Sequence, residues 1–519
     1  MKPSVVFFMM DQLSAKWFEA ALGGVCPTPH FDRLRTMGVT FRNAITSNPV
    51  CCPARATLAT GLTTRGHGVL ENGYALDPKL PTFMQALQKS GWRTGAFGKV
   101  HLYPHFAGLY PDYKPFGFDA THITEDPRGG DWLDGVESEH PEHYEAALAT
   151  IWPVAILDFA AYGPKKVNLR ERIEKIRSNF QWATPDFPNN TPGAYTLPFP
   201  EEVSQTNWIT SRALEFIRGT RADRPLFAHI SYVQPHGPKC PPAECVECVD
   251  ASRIPEPAPA EWLTDPHAPK YFDQHRHMTG KVPSEHWRYY RQLYFADIVH
   301  LDRQLGRVLE TLEETGRLGN TYVILVADHG DLLEDHGFNG KEERHYDACI
   351  RVPLIVAGPG LKKGVARDEM VQLEDLCPTA LDAAAEKMPA MPKEGPYLKM
   401  GAEEIPALPG RSLLPLCRGE TAPDWRPAAY CESYNGIWSV ALGDWARTIR
   451  TQEFRYTFYP NNRGDQLFDL RSDPDEQCNL AADPSRAKIR QELRDQLLEL
   501  IVRQDYPKTR RDLFALGVH

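Results

Sequence analysis

The sequence predicts an α/β fold in which helices sandwich a large, mostly parallel sheet, with a smaller antiparallel sheet towards the C-terminus. Val5–Met10 and Tyr322–Ala327 are continuous apolar runs, which is typical of strands buried on both faces of a parallel sheet. An amphipathic helix between Asp297 and Glu314 leads straight into the second run and completes an α/β unit. From about Leu408, short strand-like runs alternate with turns, which indicates a small antiparallel sheet.

The remaining elements follow from local sequence signals. Thr28-Pro29 and Gly38 mark the start and the end of a further helix. Residues 103–207 are rich in proline, aspartate and aromatic residues, so we expect loops and insertions there, with one amphipathic piece near Asn168–Asn179. The C-terminal runs and the last helix are Trp438–Leu442, Ala446–Ile449, Arg455–Tyr459 and Gln491–Gln504. We therefore expect a large α/β domain over 1–407 and a subdomain over 408–519.

Composition and charge narrow the class of protein. The chain has 519 residues, 42% of them hydrophobic and 24% charged, as in ordinary globular proteins. Its net charge of −10 argues against a nucleic-acid partner, which requires a basic surface. The eleven cysteines are odd in number and scattered, so they are unlike the framework of a small disulfide-rich protein.

The sequence predicts a cytoplasmic protein that does not enter a membrane. The apolar run at Val5–Met10 is shorter than the hydrophobic region of a signal peptide, and Asp11 ends it. The other apolar stretch, Ala146–Leu157, is too short to span a bilayer. Reduced thiols are then expected. Arg510-Arg511 and the last helix suggest contact with a neighbouring subunit, so a homo-oligomer is one expectation.

Polar pairs follow the two buried strands directly. Asp11-Gln12 ends the first strand and Asp328-His329 ends the second. In open α/β sheets ligands bind beyond the carboxyl ends of the strands, so the two pairs predict one shared site. Ordinary strand-to-loop exits, which often carry aspartate, are the alternative interpretation.

Cys51 lies at the predicted N-terminus of a helix, where backbone N–H groups favour an anion. The spacing of a cysteine phosphatase, Cys-x5-Arg, fails for both Cys51 and Cys52. The spacing that fits is Cys-x-Pro-x-Arg, from Cys51 through Pro53 to Arg55. It resembles the signature of the type I sulfatases. The resemblance implies that a formylglycine-generating enzyme converts Cys51 to formylglycine, the family's nucleophile. A buried cysteine at a helix start is the alternative.

Further motifs extend the resemblance from Val5 to about Ala481. They are Gly91–His101, Glu71-Asn72-Gly73, Pro235-His236, Asp328-His329-Gly330, Gly340-Lys341, Gly410–Pro415 and Gln466–Leu470. By this resemblance Lys99 and Lys341 contact the sulfate, and Asn72 donates to it. His101 takes a proton from the formylglycine diol, and His236 faces the leaving-group oxygen. The family implies an alkaline phosphatase-like fold.

The resemblance assigns a divalent metal to Asp11, Gln12, Asp328 and His329. Most sulfatases have more carboxylates at these positions, and an imidazole moves the preference from Ca²⁺ towards Mn²⁺, with Mg²⁺ also open. The same pairs occur in the choline-sulfatase and phosphonate monoester hydrolase branches. The phosphonate enzymes lack the Gly-Lys-x-His element that ends at His101 here.

The expected function is hydrolysis of small-molecule sulfate monoesters, as in arylsulfatases. Hydrolysis of phosphonate monoesters or phosphodiesters at the same site is the first alternative. A non-catalytic binder of sulfated ligands with an unconverted Cys51 is the second. Cys240 and the Cys245-x-x-Cys248 pair are expected to be thiols, with a structural zinc site as the alternative.

Overall fold

The computed structural model describes residues 2–105, 108–182, 193–276, 279, 283–341, 344–388, 409–434, 445–460 and 464–504. No helix within these ranges combines the length and the apolar character needed to cross a membrane.

A large sheet of eight strands forms the centre of the molecule. Its strands in chain order are β1 Ser4–Met10, β2 Gly38–Ile45, β3 Arg93–Gly98, β4 Ala120–Ile123, β5 Leu226–Tyr232, β6 Thr321–Ala327, β7 Arg351–Ala357 and β8 Val365–Gln372. Their order across the sheet is β4-β3-β5-β1-β6-β7-β2-β8. Of these eight, β7 alone runs antiparallel to its neighbours. The predicted mostly parallel sheet is confirmed.

Helices flank this sheet and connect its strands. The α-helices are α1 Ala15–Ala20, α2 Pro29–Met37, α3 Cys51–Thr60, α4 Thr64–His67, α5 Phe83–Lys89, α6 Asp131–Glu139, α7 Tyr144–Ala149, α8 Arg170–Asn179, α9 Gln205–Arg218, α10 Ala243–Glu247, α11 Ser284–Glu314, α12 Asp347–Ile350, α13 Leu376–Ala384, α14 Leu414–Arg418 and α15 Ala487–Gln504.

The apolar runs form strands because both of their faces are covered. All seven residues of β1 are buried, and the strand pairs in parallel with β5 on one side and β6 on the other. Phe7 packs edge-on against Phe83 of α5 and Phe227 of β5. The strands β3, β5, β1 and β6 are consecutive in the sheet, so their carboxyl ends meet at one edge.

The structure corrects the predicted start of the long helix. We expected it from Asp297, whereas α11 begins at Ser284. The first half hides its periodicity because it buries charged and aromatic side chains together. Arg291 is buried there, donates to the carbonyl of Leu333 and pairs with Asp335.

Residues 103–207 contain more regular structure than the expected loops. They include β4, α6, α7 and α8, and these elements share a separate hydrophobic cluster that contains Trp132, Leu148 and Phe159. The amphipathic piece predicted near Asn168–Asn179 is α8. The other three elements have four to nine residues, which is too short for a clear apolar period.

A second sheet of four antiparallel strands lies in the C-terminal part. Its strands are β9 Ala428–Ser433, β10 Ala446–Thr451, β11 Phe454–Phe458 and β12 Asp465–Asp469, in the order β12-β11-β10-β9. The helix α15 packs on one face of this sheet. The predicted run Trp438–Leu442 and the boundary after residue 407 lie outside the described residues.

The small sheet is joined to the large one next to the Cys51 loop. The N–H of Glu432 in β9 donates to the carbonyl of Ser47, 2.9 Å away, four residues before Cys51. Gln372 at the end of β8 exchanges two hydrogen bonds with the backbone of Tyr430. The small sheet therefore supports the loop that carries Cys51.

Candidate active site

Polar side chains from four neighbouring strands converge at one edge of the large sheet. Asp11 and Gln12 follow β1, and Asp328 and His329 follow β6. Lys99 and His101 follow β3, and His236 follows β5 by four residues. Because the strands are parallel neighbours, this edge is the site predicted from the two strand-end pairs.

Cys51 is the first residue of α3 and has no exposed surface. Its Sγ lies 3.2 Å from Nε2 of His329, 3.8 Å from Oδ1 of Asp11 and 2.9 Å from Nζ of Lys341. Burial, assisted by the charge of Asp11, raises the pKa of the Cys51 thiol. An unmodified Cys51 is therefore a neutral thiol and a weak nucleophile.

Asn72 and Cys52 fix the start of α3. The side-chain oxygen of Asn72 accepts the N–H of Cys52 at 2.9 Å, which satisfies a backbone donor of the first turn. The thiol of Cys52 donates to the carbonyl of His101 at 3.1 Å. The amide N–H groups of Asn72 can therefore donate to a substrate anion, which is the role predicted for this residue.

Four side chains form what we call the metal half of the site: Asp11, Gln12, Asp328 and His329. Nε2 of His329 lies 3.6 Å from Oδ1 of Asp11 and 3.7 Å from Oδ1 of Asp328. All four side chains are buried. Two carboxylates, an amide oxygen and an imidazole that meet at such distances fit a divalent cation by their chemistry. Burial lowers the pKa of His329 to about 4, so its ring is neutral, as a metal ligand must be.

Asp331 and Lys239 hold Gln12 in place. Oδ2 of Asp331 accepts from Nε2 of Gln12 at 2.6 Å, which leaves Oε1 of Gln12 facing the site. The same carboxylate pairs with the buried Lys239, and its Oδ1 accepts the N–H of Gly340 at 3.0 Å. Asp331 thus orients a metal-half ligand and the backbone beside Lys341.

Arg55 lies under the site, one helical turn after Cys51. Its Nε donates to Oδ2 of Asp328 at 2.8 Å, and one Nη donates to the carbonyl of Lys99 and to Oγ of Ser231. These contacts tie the ends of β6, β3 and β5 together. Arg55 was predicted among the catalytic residues, and its contacts are those of a positioning residue.

Lys99 joins the metal half to a carboxylate on β4's side of the sheet. Its Nζ pairs with Asp11 and with both oxygens of Asp126. Gly98 makes this turn: its φ is +90°, and a Cβ there would lie 2.1 Å from the carbonyl oxygen of Ser231. Burial opposes the charge, but the neighbouring carboxylates raise the pKa of Lys99 well above its usual range.

Four residues form what we call the imidazole half: His101, His105, Glu125 and Asp126. The rings of His101 and His105 stack with centroids 3.8 Å apart at an angle of 11°. Both ring nitrogens of His101 are buried and have no hydrogen-bond partner among the described residues. Burial, His105 and Lys99 together lower the pKa of His101 well below its usual range.

His236 closes the site opposite Lys341. Its Nδ1 lies 2.8 Å from the carbonyl oxygen of Gly237, so Nε2 is the nitrogen available to a substrate. Burial lowers the pKa of His236 to about 4. Half-buried Trp152 contacts this ring edge-on at 5.7 Å. Trp152 belongs to the segment 103–207 and brings that segment into contact with His236.

A family model described as Sulfatase matches residues 3–386. The chain belongs to the sulfatase family. A second model, described as N-sulphoglucosamine sulphohydrolase, C-terminal, matches residues 334–503 of this sulfatase. Its fold is alkaline phosphatase-like, and its class is sulfuric ester hydrolase.

Relatives cover most of this sulfatase. An arylsulfatase of Clostridium perfringens is 28% identical over 92% of this chain and 90% of its own. A choline-sulfatase of Rhizobium meliloti is 26% identical over 93% of this chain and 83% of its own. The crystal structure of a phosphonate monoester hydrolase of Agrobacterium radiobacter has a TM-score of 0.74 at 24% identity, and covers 97% and 96% of the two chains.

The sequence did not reveal four residues that support this sulfatase's site: His105, Glu125, Asp126 and Asp331. Asp126 stands three residues after the end of β4, whereas Asp11 directly follows β1, so its signal was weaker. It was missed because β4 has only four residues and no apolar pattern. Asp331 stands two residues after His329, and no sequence pattern indicated its partner.

The cysteines outside the site match the expected thiols. None of the sulfatase's eleven cysteines, all of them in described residues, forms a disulfide. In the described part of the chain, two groups of side chains converge closely enough to hold an ion, and neither contains Cys240, Cys245 or Cys248. The alternative of a zinc site at these cysteines therefore finds no support.

Proposed function

We propose that this sulfatase hydrolyses small-molecule sulfate monoesters with a formylglycine derived from Cys51 and a divalent metal held by the metal half. One observation carries the proposal: the Cys51 side chain is fully buried and lies within 3.8 Å of Lys341, His329 and Asp11. A nucleophile, a cation site and a fixed ammonium group thus meet at one point.

The surroundings of Cys51 support its conversion. The thiol there is neutral because it is buried, and it lacks an adjacent base to activate it, since the pKa of His329 is lowered to about 4. A hydrated formylglycine supplies an oxygen nucleophile and a second hydroxyl through which sulfate is later expelled. Maturation then requires a formylglycine-generating enzyme as a partner.

The metal half supports a divalent cation. When bound, the cation acts as a Lewis acid that lowers the pKa of an oxygen nucleophile and withdraws charge from the ester. Asp331 and Arg55 hold two of its four ligands, as second-sphere residues commonly do. The single imidazole of His329 supports Mn²⁺, with Ca²⁺ and Mg²⁺ as the other candidates.

Two lysines stabilise the charge of the reacting ester. Nζ of Lys341 lies 2.9 Å from Sγ of Cys51, and Lys99 lies on the other side of Asp11. Both are buried, so their charges act with little screening by water. Asn72, at the start of α3, adds neutral donors.

Two histidines handle protons on opposite sides of the site. His236 presents Nε2 towards the leaving alcohol, and a bound ester anion favours the protonated ring that can donate to it. His101 is held neutral and has two nitrogens without a partner among the described residues, so it can accept a proton from the nucleophile's side. The two roles require different protonation states: both rings are neutral without substrate, and the bound ester anion adds the proton to His236 alone.

Hydrolysis of phosphonate monoesters or phosphodiesters is a second candidate activity. Gln12 and His329 in the metal half favour it, because these residue types also occur in the phosphonate monoester hydrolase branch. Lys99 and His101 favour the sulfate ester. Turnover of an aryl sulfate, an aryl phosphonate and a phosphodiester by one preparation compares them, and a sulfate that is the slowest of the three would refute the sulfatase assignment.

Mass spectrometry of the peptide that contains Cys51 tests the nucleophile directly. In a host with the converting enzyme we expect the aldehyde or its hydrate. A thiol in active enzyme would refute the formylglycine proposal, and a thiol in inactive protein would favour the non-catalytic binder.

We also propose a cytoplasmic location, which the eleven cysteines without a disulfide support. A homo-oligomer stays a prediction, since Arg510-Arg511 lie outside the described residues.

A further inference from the structure

His105 contacts the other three residues of the imidazole half, and the proposed reaction gives it no role. Its ring covers the His101 ring face to face at 3.8 Å. Neither ring nitrogen of His101 has a hydrogen-bond partner among the described residues, so packing, which includes this stack, restrains the ring's orientation. The backbone N–H of His101 donates to Oε1 of Glu125 at 2.8 Å and fixes only the main chain.

Two carboxylates hold His105. Its Nε2 lies 2.7 Å from Oδ2 of Asp126, and its Nδ1 lies 3.2 Å from Oε2 of Glu125. An imidazole with both nitrogens facing carboxylates donates from both, and this is the imidazolium form. Burial opposes the charge, but Asp126 and Glu125 raise the pKa of His105 to about 9.

The same two carboxylates also contact other side chains, and one of these is the candidate catalytic residue Lys99. Asp126 binds the ammonium of Lys99 through both of its oxygens, and Glu125 accepts the hydroxyl of Tyr113 at 2.7 Å. Lys99 in turn pairs with Asp11 of the metal half. His105 is thus bonded to the partner of one candidate catalytic residue and stacked on another.

We propose that His105 is a positioning residue of the sulfatase reaction: as an imidazolium it holds the His101 ring in place and, through Asp126, orients the ammonium of Lys99. This inference rests on the proposed function of the site. The position of His105 indicates no other role, because its ring lies against the other residues of the imidazole half and is only partly exposed.

The arrangement also keeps His101 ready to accept a proton. The charged groups that face its ring are His105, Lys99 and Arg55 on the positive side and Asp126 on the negative side. Three cations against one carboxylate disfavour a second imidazolium in a buried place. When the His105 charge is removed, fewer cations oppose the charge of Asp126. The pKa of His101 then rises, so its protonation becomes easier.

A second metal ion at His101, His105 and Asp126 is the competing interpretation, since their ligand atoms lie within 4.8 Å of one another. The contacts oppose it. Both oxygens of Asp126 already receive the Lys99 ammonium, and that ammonium would repel an ion bound to the same carboxylate. Measurements of turnover and of metal content separate the two interpretations.

Two variants divide the contributions of His105. His105→Phe keeps a planar face against His101 but removes the charge and both hydrogen bonds. His105→Gln keeps a hydrogen-bond donor but removes the face and the charge. The matched control is His122→Phe: His122 also stacks on a ring, that of Phe97 at 5.9 Å, and lies on β4 outside the site.

We expect kcat for a saturating aryl sulfate at pH 7 to fall about 10- to 100-fold in both His105 variants, with KM changed less than about threefold. The acidic limb of the kcat profile should move to higher pH by about one unit, since His101 protonates more easily. His122→Phe should leave the rate and the limb unchanged. An unmoved limb with kcat within about threefold of the unmodified enzyme would overturn the proposal.

Two measurements without turnover complete the test. Histidine-selective ¹³C NMR should show the His101 pKa rising in His105→Phe, in the metal-loaded protein. If it rises and no form hydrolyses sulfate esters, the proposed function fails, while the effect of His105 on the His101 ring is established separately. Elemental analysis should give the same metal content for unmodified protein and both variants. The loss of one equivalent in His105→Phe would establish a second ion and refute the proposal.

Discussion

The metal half and the imidazole half of the site are built in different ways. Every ligand of the metal half stands directly at the end of a long buried strand, β1 or β6. His101 also follows a strand, but its support comes from His105, Glu125 and Asp126, which lie in loops beside the short strand β4. Direct ligands can thus be recognised from adjacent residues. Supporting residues can be recognised only once the order of the strands is known.

The two halves share one cation. Lys99 pairs with Asp11 in the metal half and with Asp126 in the imidazole half. Although burial acts in the opposite direction, Lys99 lowers the pKa of both carboxyl groups. A substitution in the site should therefore have one of three effects. It should abolish the functions of both halves, weaken metal binding, or impair proton transfer alone.

Replacement of the proposed nucleophile should have the largest effect, because every step of the proposed reaction passes through it. We expect Cys51→Ala to lose at least about 10⁴-fold in sulfate ester turnover, since no other group can form the covalent intermediate. Metal binding, measured as a shift in Tm on addition of Mn²⁺, should persist. Cys52→Ala is the matched control and should stay within about tenfold. Substantial turnover by Cys51→Ala would exclude position 51 as the nucleophile.

Replacement of a metal-half carboxylate should come second. Asp328→Asn should lower kcat/KM about 10³-fold and weaken metal binding, because the variant loses one of two anionic ligands and the partner of Arg55. Calorimetric titration with Mn²⁺ measures the affinity. Asp302→Asn, which removes a buried carboxylate that accepts the N–H groups of His30 and Phe31, should bind metal normally. Equal metal affinity in both variants would argue against the assigned ligand set.

Replacement of an imidazole-half carboxylate should lower activity without loss of metal. Asp126→Asn removes a charge between Lys99 and His105, and we expect kcat to fall about 10²-fold. The Mn²⁺ affinity should stay within about threefold. Asp131→Asn, at the start of α6, is the control and should have normal activity. A joint loss of metal and activity in Asp126→Asn would mean that the two halves do not act separately.

The smallest effect concerns a buried carboxyl group outside both halves. Asp297 in α11 has no hydrogen-bond partner among the described residues, and burial raises its pKa to about 8. Its usual pKa is near 4, so the folded protein retains a proton that the unfolded chain releases. Stability should therefore fall as pH rises from about 4 to 8. Asp297→Asn cannot ionise, and its Tm relative to the unmodified protein should rise by about 2–5 °C over this range.

Calorimetric scans at pH 5 and pH 8 measure this difference. A constant offset between the two proteins would mean that Asp297 is not protonated in the folded state. The contrast with Asp11 is instructive: both carboxyl groups are buried, but Asp11 has Lys99 beside it, and only Asp297 keeps the raised pKa that burial produces.

The sequence was sufficient where a motif and a buried strand coincide. Asp11 and Asp328 were found because a run of apolar residues ends abruptly at each. A helix from about Pro53, with Cys51 at or just before its N-terminus, was also predicted, because Pro53 and the small residues after it favour a helix, and α3 begins at Cys51. The roles of these site residues stay predictions until the variants are measured.

The remainder could not be derived because it depends on contacts between distant parts of the chain. Asp331 is separated by 319 residues from Gln12, the side chain that it orients. Apart from α8, the elements of 103–207 are short, and they bury apolar residues against each other rather than in a periodic pattern along one helix. Trp152 reaches His236 only through that packing.

The complete burial of Cys51 sets a time limit on its conversion during biosynthesis. An enzyme that modifies this side chain cannot reach it in the folded protein, where its exposed surface is zero. Lys341, which lies against its sulfur atom, is synthesised 290 residues later. Under the proposed function, the converting enzyme must therefore act on the nascent or unfolded chain, and a molecule that folds first would keep its cysteine. The yield of active enzyme would then depend on the rate of modification relative to the rate of folding.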